Sequence, residues 1–102
     1  MYHNMKVMQL IEASKQRPSM YWGGASVTHA VSFLNGWVSA LESLDIVEEE
    51  YSNFCDWLRS ELRDNSTQSI DKLLQFKTNS ESQALELFYS MFEKYKVYLR
   101  NT

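Results

Sequence analysis

The stretch Ser26-Val27-Thr28-His29-Ala30-Val31-Ser32-Phe33-Leu34-Asn35-Gly36-Trp37-Val38-Ser39-Ala40-Leu41-Glu42-Ser43-Leu44 decides the fold. Val27, Val31, Leu34, Val38 and Leu41 recur every three or four residues, the α-helical period, and Ser26 stands where an N-cap belongs. Ala30, Phe33, Trp37, Ala40 and Leu44 form a second stripe beside the first, so this helix is expected to run through the middle of the domain. Gly36 sits inside it, where glycine costs about 1 kcal/mol against alanine; a close helix crossing beside Trp37 would account for it.

Upstream, Pro18, Gly23 and Gly24 fall within seven residues and mark a loop between two ordered segments. Before them, Asn4 to Gln16 reads as a helix with Val7, Met8, Ile11 and Ser14 on one face. Downstream, Asp45-Ile46-Val47-Glu48 has the form of a capping box opening a third helix to about Asp64, with Tyr51, Phe54, Cys55, Leu58 and Leu62 buried. The polar run Asp64 to Gln68 breaks the chain before a short apolar segment at Ile70, Leu73, Leu74 and Phe76. Ser80-x-x-Gln83 then opens a last helix to about Arg100, whose apolar positions are Ala84, Leu85, Phe88, Met91, Phe92, Tyr95, Tyr98 and Leu99. No stretch sustains the two-residue alternation of a strand. These patterns predict an all-α fold, one compact domain of four or five packed helices over residues 1–102.

The 102 residues suit one domain, and 44% hydrophobic with 23% charged residues is ordinary globular usage. A single cysteine, Cys55, excludes an internal disulfide, and no apolar run is long enough to span a bilayer. His3, Asn4, Lys6 and Gln9 interrupt the N-terminal apolar residues and argue against a signal peptide, so a cytoplasmic protein is expected. His3, His29 and Cys55 form no metal-ligand spacing, and neither metal nor cofactor is expected. His29 reads as a partly buried helix residue and Cys55 as a small core residue. Tyr21 to Ser26 lacks the lysine and spacing of a phosphate loop and reads as a tight turn rather than an anion site.

Net charge is only −3, which argues weakly against a nucleic-acid binder. Its distribution is more telling. Residues 42–64 hold Glu42, Asp45, Glu48, Glu49, Glu50, Asp56, Glu61 and Asp64 against Arg59 and Arg63, a net −6, while the rest of the chain carries +3. Carboxylates at the start of a helix favour its dipole and explain Glu48 and Glu49, but not acids continuing to Asp64. Such a segment draws a basic partner and speeds its encounter.

The blocks Arg17-Pro18-Ser19-Met20-Tyr21-x-Gly23-Gly24, Phe33-Leu34-x-Gly36-Trp37 and Ala84-Leu85-x-x-Phe88 resemble a group of small bacterial immunity proteins of polymorphic toxin systems, including contact-dependent growth inhibition. The resemblance spans about residues 10–95. Trp22 replaces a smaller aliphatic residue, and the Ser69-Ile70 segment lacks a tryptophan expected there. The resemblance implies a helical scaffold that shares its core and varies its binding surface, and a non-enzymatic function: covering the active site or substrate groove of a cognate toxin domain. Many such toxins are nucleases with basic grooves, and a ribonuclease is the toxin the resemblance leads one to expect here. The expected toxin-binding residues are Glu42, Asp45, Glu48, Glu49, Glu50 and Asp56, with Tyr51 and Trp57 as aromatic anchors. Trp57 lies off the main stripe and fits a second-layer core position equally well.

Two other classes fit the residues. A small adaptor could bind protein through Trp37, Trp57 and the last helix, or DNA through Lys94, Lys96 and Arg100. An enzyme would need Cys55 beside His29 and an acid.

Overall fold

A computed structural model describes residues 6–64 and 68–102; the expected helix start at Asn4, the terminal His3 and residues 65–67 of the polar break lie outside them. Six helices and no strand occur among the described residues. α1 spans Val7–Ser14, α2 Pro18–Trp22, α3 Val27–Ser43, α4 Glu50–Glu61, α5 Ile70–Phe76 and α6 Glu81–Arg100. The all-α expectation holds, with one helix more than the upper count of five.

The additional helix is α2, in the segment expected to be a loop. Pro18 occupies its first position, where a missing N–H costs nothing, and Gly23 at φ 81° ends it by donating to the Ser19 carbonyl at 3.0 Å. The proline and glycine therefore start and stop a single turn that carries Trp22 into the core.

α3 begins as expected, with Ser26 Oγ accepting the His29 N–H at 3.1 Å. Its first half is buried through Val27, Ala30, Val31 and Leu34. Its second half leaves the core: Trp37, Val38 and Leu41 are half-buried, whereas Ala40 and Leu44 are exposed. The expectation of a central helix is thus corrected for its last two turns. Gly36 is exposed and a Cβ there would meet nothing within 4 Å, so no close crossing explains it.

α4 starts four residues later than expected, with Glu49 rather than Asp45 at the N-cap position. Asp45 does not cap it, because Asp45 is used to terminate α3. It adopts φ 61° and donates to the Glu42 carbonyl at 3.0 Å, while Ile46 donates to the Leu41 carbonyl at 2.9 Å, the paired bonds of a Schellman motif. α4 ends in the same way, with Arg63 at φ 54° bonding Ser60 and Asp64 bonding Arg59, three residues before the expected end. Ser80 Oγ caps α6 through the Gln83 N–H, and the Gln83 side chain reaches back to the Asn79 N–H rather than to Ser80.

The core is built on aromatic contacts between α4 and α6. Phe54, fully buried, meets Phe88 at 5.8 Å, Phe92 at 5.9 Å and Tyr95 at 5.2 Å between ring centroids, mostly edge-on or tilted. Tyr98 and Leu99, expected in this core, are 47% and 44% exposed in the last turn of α6. A polar knot ties three helices: the Tyr89 hydroxyl meets Ser14 Oγ of α1 at 2.7 Å and accepts from Trp22 Nε1 of α2 at 2.9 Å. Outside it, Glu12 of α1 and Lys15 at its C-cap interlock with Glu93 and Lys96 of α6, and Lys15 holds the Glu93 carboxyl below the ordinary range. The radius of gyration, 13.2 Å, matches the about 13 Å of a folded chain of this length.

Candidate functional site

The early exit of α3 from the core and the late start of α4 leave an open corner between them. Glu42, Asp45, Ile46, Val47, Glu48, Glu49, Ser52 and Asn53 line a hollow of about 740 Å³ there. Four of the eight are carboxylates and none is a cation. Within the corner Leu44 is 69%, Ile46 48% and Val47 78% exposed.

The eight residues expected to bind a partner divide into three groups. Glu42, Asp45 and Glu49 are exposed on the hollow, and Asp56 continues the α4 face that Ser52 and Asn53 present, one turn further on. Glu48 also lines the hollow, yet its carboxylate is engaged in the fold. Oε2 accepts the Glu50 N–H at 2.9 Å and Oε1 the Val7 N–H at 3.4 Å, so one side chain serves the first turns of both α4 and α1.

Glu50, Tyr51 and Trp57 belong elsewhere. Glu50 is close enough to Tyr95 to add to the upward pKa shift that burial imposes on that phenol. Tyr51 is only 7% exposed, and burial also raises its hydroxyl pKa; it holds the core and offers a partner no anchor. Trp57 is half-buried against Phe54 at 6.5 Å, Tyr95 at 5.3 Å and Tyr98 at 5.9 Å, the second-layer position that its sequence offset allowed. Of the six carboxylates expected to bind, Glu42, Asp45, Glu48 and Glu49 line the hollow, Asp56 lies beyond it on α4, and Glu50 lies near Tyr95 of α6.

Leu44, Ile46 and Val47 were not among the expected site residues. Leu44 counted toward the second stripe of α3, and Ile46 and Val47 fell inside the capping box. The available signal was three apolar residues among acids with no stripe on a neighbouring helix to receive them.

The residues of the enzyme alternative have other partners. His29 is exposed, not partly buried: its Nδ1 lies 2.7 Å from Ser26 Oγ, and its ring covers Gly24, where a Cβ would come within 2.8 Å of it. Burial pushes the half-buried Cys55 thiol up to about 11 against an opposing pull from the Tyr51 hydroxyl, which leaves it protonated at neutral pH. Of the cations on α6, Lys96 is bound to Glu12 and Glu93, while Lys94 and Arg100 are exposed. Among the described residues no group of three or more His, Cys, Asp or Glu could hold a metal, and no helix is long and apolar enough to cross a membrane. Comparison of the chain with protein-family models, curated proteins and solved structures finds no match.

Proposed function

We propose that this chain is an immunity-type inhibitor: a cytoplasmic, non-enzymatic bacterial protein, needing no cofactor, that neutralises a cognate toxin domain by covering its active site or substrate groove. The observation that carries the reading is the hollow at residues 42–53, with four carboxylates, no lining cation and the exposed Ile46 and Val47 in its lining. A nuclease binds phosphates in a basic groove; Glu42, Asp45 and Glu49 offer anionic oxygens that compete for the same cations. Part of the family resemblance supports a scaffold role, whereas its Arg17, Ser19 and Met20 are exposed. Pro18 and Gly23 bound α2, and Leu34, Ala84, Leu85 and Phe88 are buried, away from the hollow.

The test is co-expression with the toxin domain encoded beside this chain. The chain should restore growth, and the combined reversal Glu42→Lys, Asp45→Lys and Glu49→Lys should abolish rescue while helicity stays intact. Glu48 is excluded from the reversal because it holds two helix starts. Rescue by the reversed protein would remove the acidic corner from the mechanism. A second reading, an adaptor docking through the end of α6, draws on the exposure of Val97, Tyr98 and Leu99. It predicts that Tyr98→Ser abolishes partner binding and that the triple reversal does not.

A further inference from the structure

The loop joining α3 to α4 exposes Leu44, Ile46 and Val47, three aliphatic side chains in four positions. Exposed aliphatic residues clustered in this way mark contact sites more often than scattered ones do. The loop is held at both ends. The Schellman bonds of Asp45 and Ile46 fasten it to α3, and the Glu48 carboxylate fastens it to α4 and α1. Its apolar side chains are thus displayed on a fixed backbone, and little conformational entropy is lost when they are covered.

The charge around the loop identifies what covers it. A second copy of this chain, meeting loop to loop, would bring Glu42, Asp45 and Glu49 against the same three acids with no cation among the hollow's lining residues to offset them. A neutral apolar segment would desolvate those carboxylates without pairing them. Lysines or arginines flanking a row of aliphatic residues satisfy both parts of the surface.

We propose that residues 42–53 form a docking surface for an amphipathic basic segment of a partner protein, whose aliphatic residues cover Ile46 and Val47 while its cations pair with Glu42, Asp45 and Glu49. This deepens the reading of a basic partner given above and rests on it. Apolar contact sets the lifetime of the complex; the carboxylates set its rate of formation and its orientation.

Two labelled peptides test the surface directly: a Leu/Lys peptide with its leucines on one helix face, and an oligolysine of equal charge. The amphipathic peptide should bind at least about tenfold tighter, because aliphatic burial is added to the charge pairing. Its amide chemical-shift changes should concentrate at residues 42–53. The Ile46→Ser/Val47→Ser variant should lose that tenfold advantage, with its circular dichroism unchanged because both residues are exposed. Glu42→Gln/Glu49→Gln should weaken both peptides and flatten their salt dependence.

Equal binding of the two peptides would overturn the proposal, as would an undiminished advantage in the serine variant. A dimer that Ile46→Ser/Val47→Ser converts to monomer would also overturn it, by making the occupant a second copy. Failure to rescue growth, with the peptide results intact, would count against the toxin reading alone. Rescue and toxin affinity unchanged in the serine variant would count against this surface alone.

Discussion

Removing the Tyr89 hydroxyl, as in Tyr89→Phe, tests how the first two helices are attached to the last. That oxygen accepts from Trp22 Nε1 at 2.9 Å and contacts Ser14 Oγ at 2.7 Å, and Ser14 Oγ itself donates to the Ile11 carbonyl at 2.7 Å. After the substitution Ser14 keeps its bond to Ile11 and loses one contact. Trp22, 4% exposed, has no comparable fallback: its indole N–H is left buried without an acceptor. Orphaning a buried donor costs about 1–3 kcal/mol, and the lost Ser14 contact brings the expected total to about 2 kcal/mol. For a domain of this size that corresponds to a fall of roughly 8–16 °C in Tm. Urea unfolding followed by circular dichroism and by tryptophan fluorescence measures it. A double-mutant cycle with Trp22→Phe should show a coupling of about 1 kcal/mol or more, because the second loss has already been incurred by the first. A cost below about 0.5 kcal/mol for Tyr89→Phe would refute the claim that this knot joins α1, α2 and α6.

Gly36→Ala should stabilise the protein by about 1 kcal/mol, since the added methyl meets nothing and alanine is the better helix former; a loss in thermal melts would reveal a contact at that face. Arg63→Gly should stabilise by about 0.5–1 kcal/mol by relieving φ 54°, and Asp45→Gly by less because aspartate tolerates that region better, an order that paired urea titrations can check. Glu48→Ala should destabilise by about 1–2 kcal/mol and speed hydrogen exchange at the Val7 and Glu50 amides, which it would leave without an acceptor. The Cys55 thiol is raised from 9.0 to about 11, so the folded state favours its protonated form. Its contribution is complete below pH 9 and disappears as pH rises to 11, and Cys55→Ala should flatten that part of a stability–pH curve.

Periodicity made α3 and α6 legible, because a long amphipathic helix repeats its signal many times. Local capping signals served less well. Asp45-x-x-Glu48 satisfies the pattern of a helix start, yet the same Asp45 is taken by the end of α3, and sequence spacing does not reveal which helix wins the residue. Pro18 with Gly23 and Gly24 reads as the boundary of a loop because each residue breaks helices; the five residues from Pro18 to Trp22 still suffice for one turn. The charge count located the acidic segment but carried no direction. Glu48 bends inward to two amides, Glu50 approaches Tyr95, and Glu42, Asp45 and Glu49 face the hollow. The exposed Leu44, Ile46 and Val47 were invisible to periodicity because they owe their exposure to where α3 stops.

The double engagement of Glu48 makes α1 and the α3–α4 loop thermodynamically linked. A cation that captured this carboxylate would compete with the Val7 and Glu50 amides, and affinity gained there would be offset by loosening both helix starts. By reciprocity, a change that detached α1 would free Oε1 of Glu48 while Oε2 stays on the Glu50 N–H, and on the proposed reading would raise affinity for a basic partner. If the corner binds as proposed, variation confined to α1, which contributes no side chain to the hollow's lining, would tune recognition there.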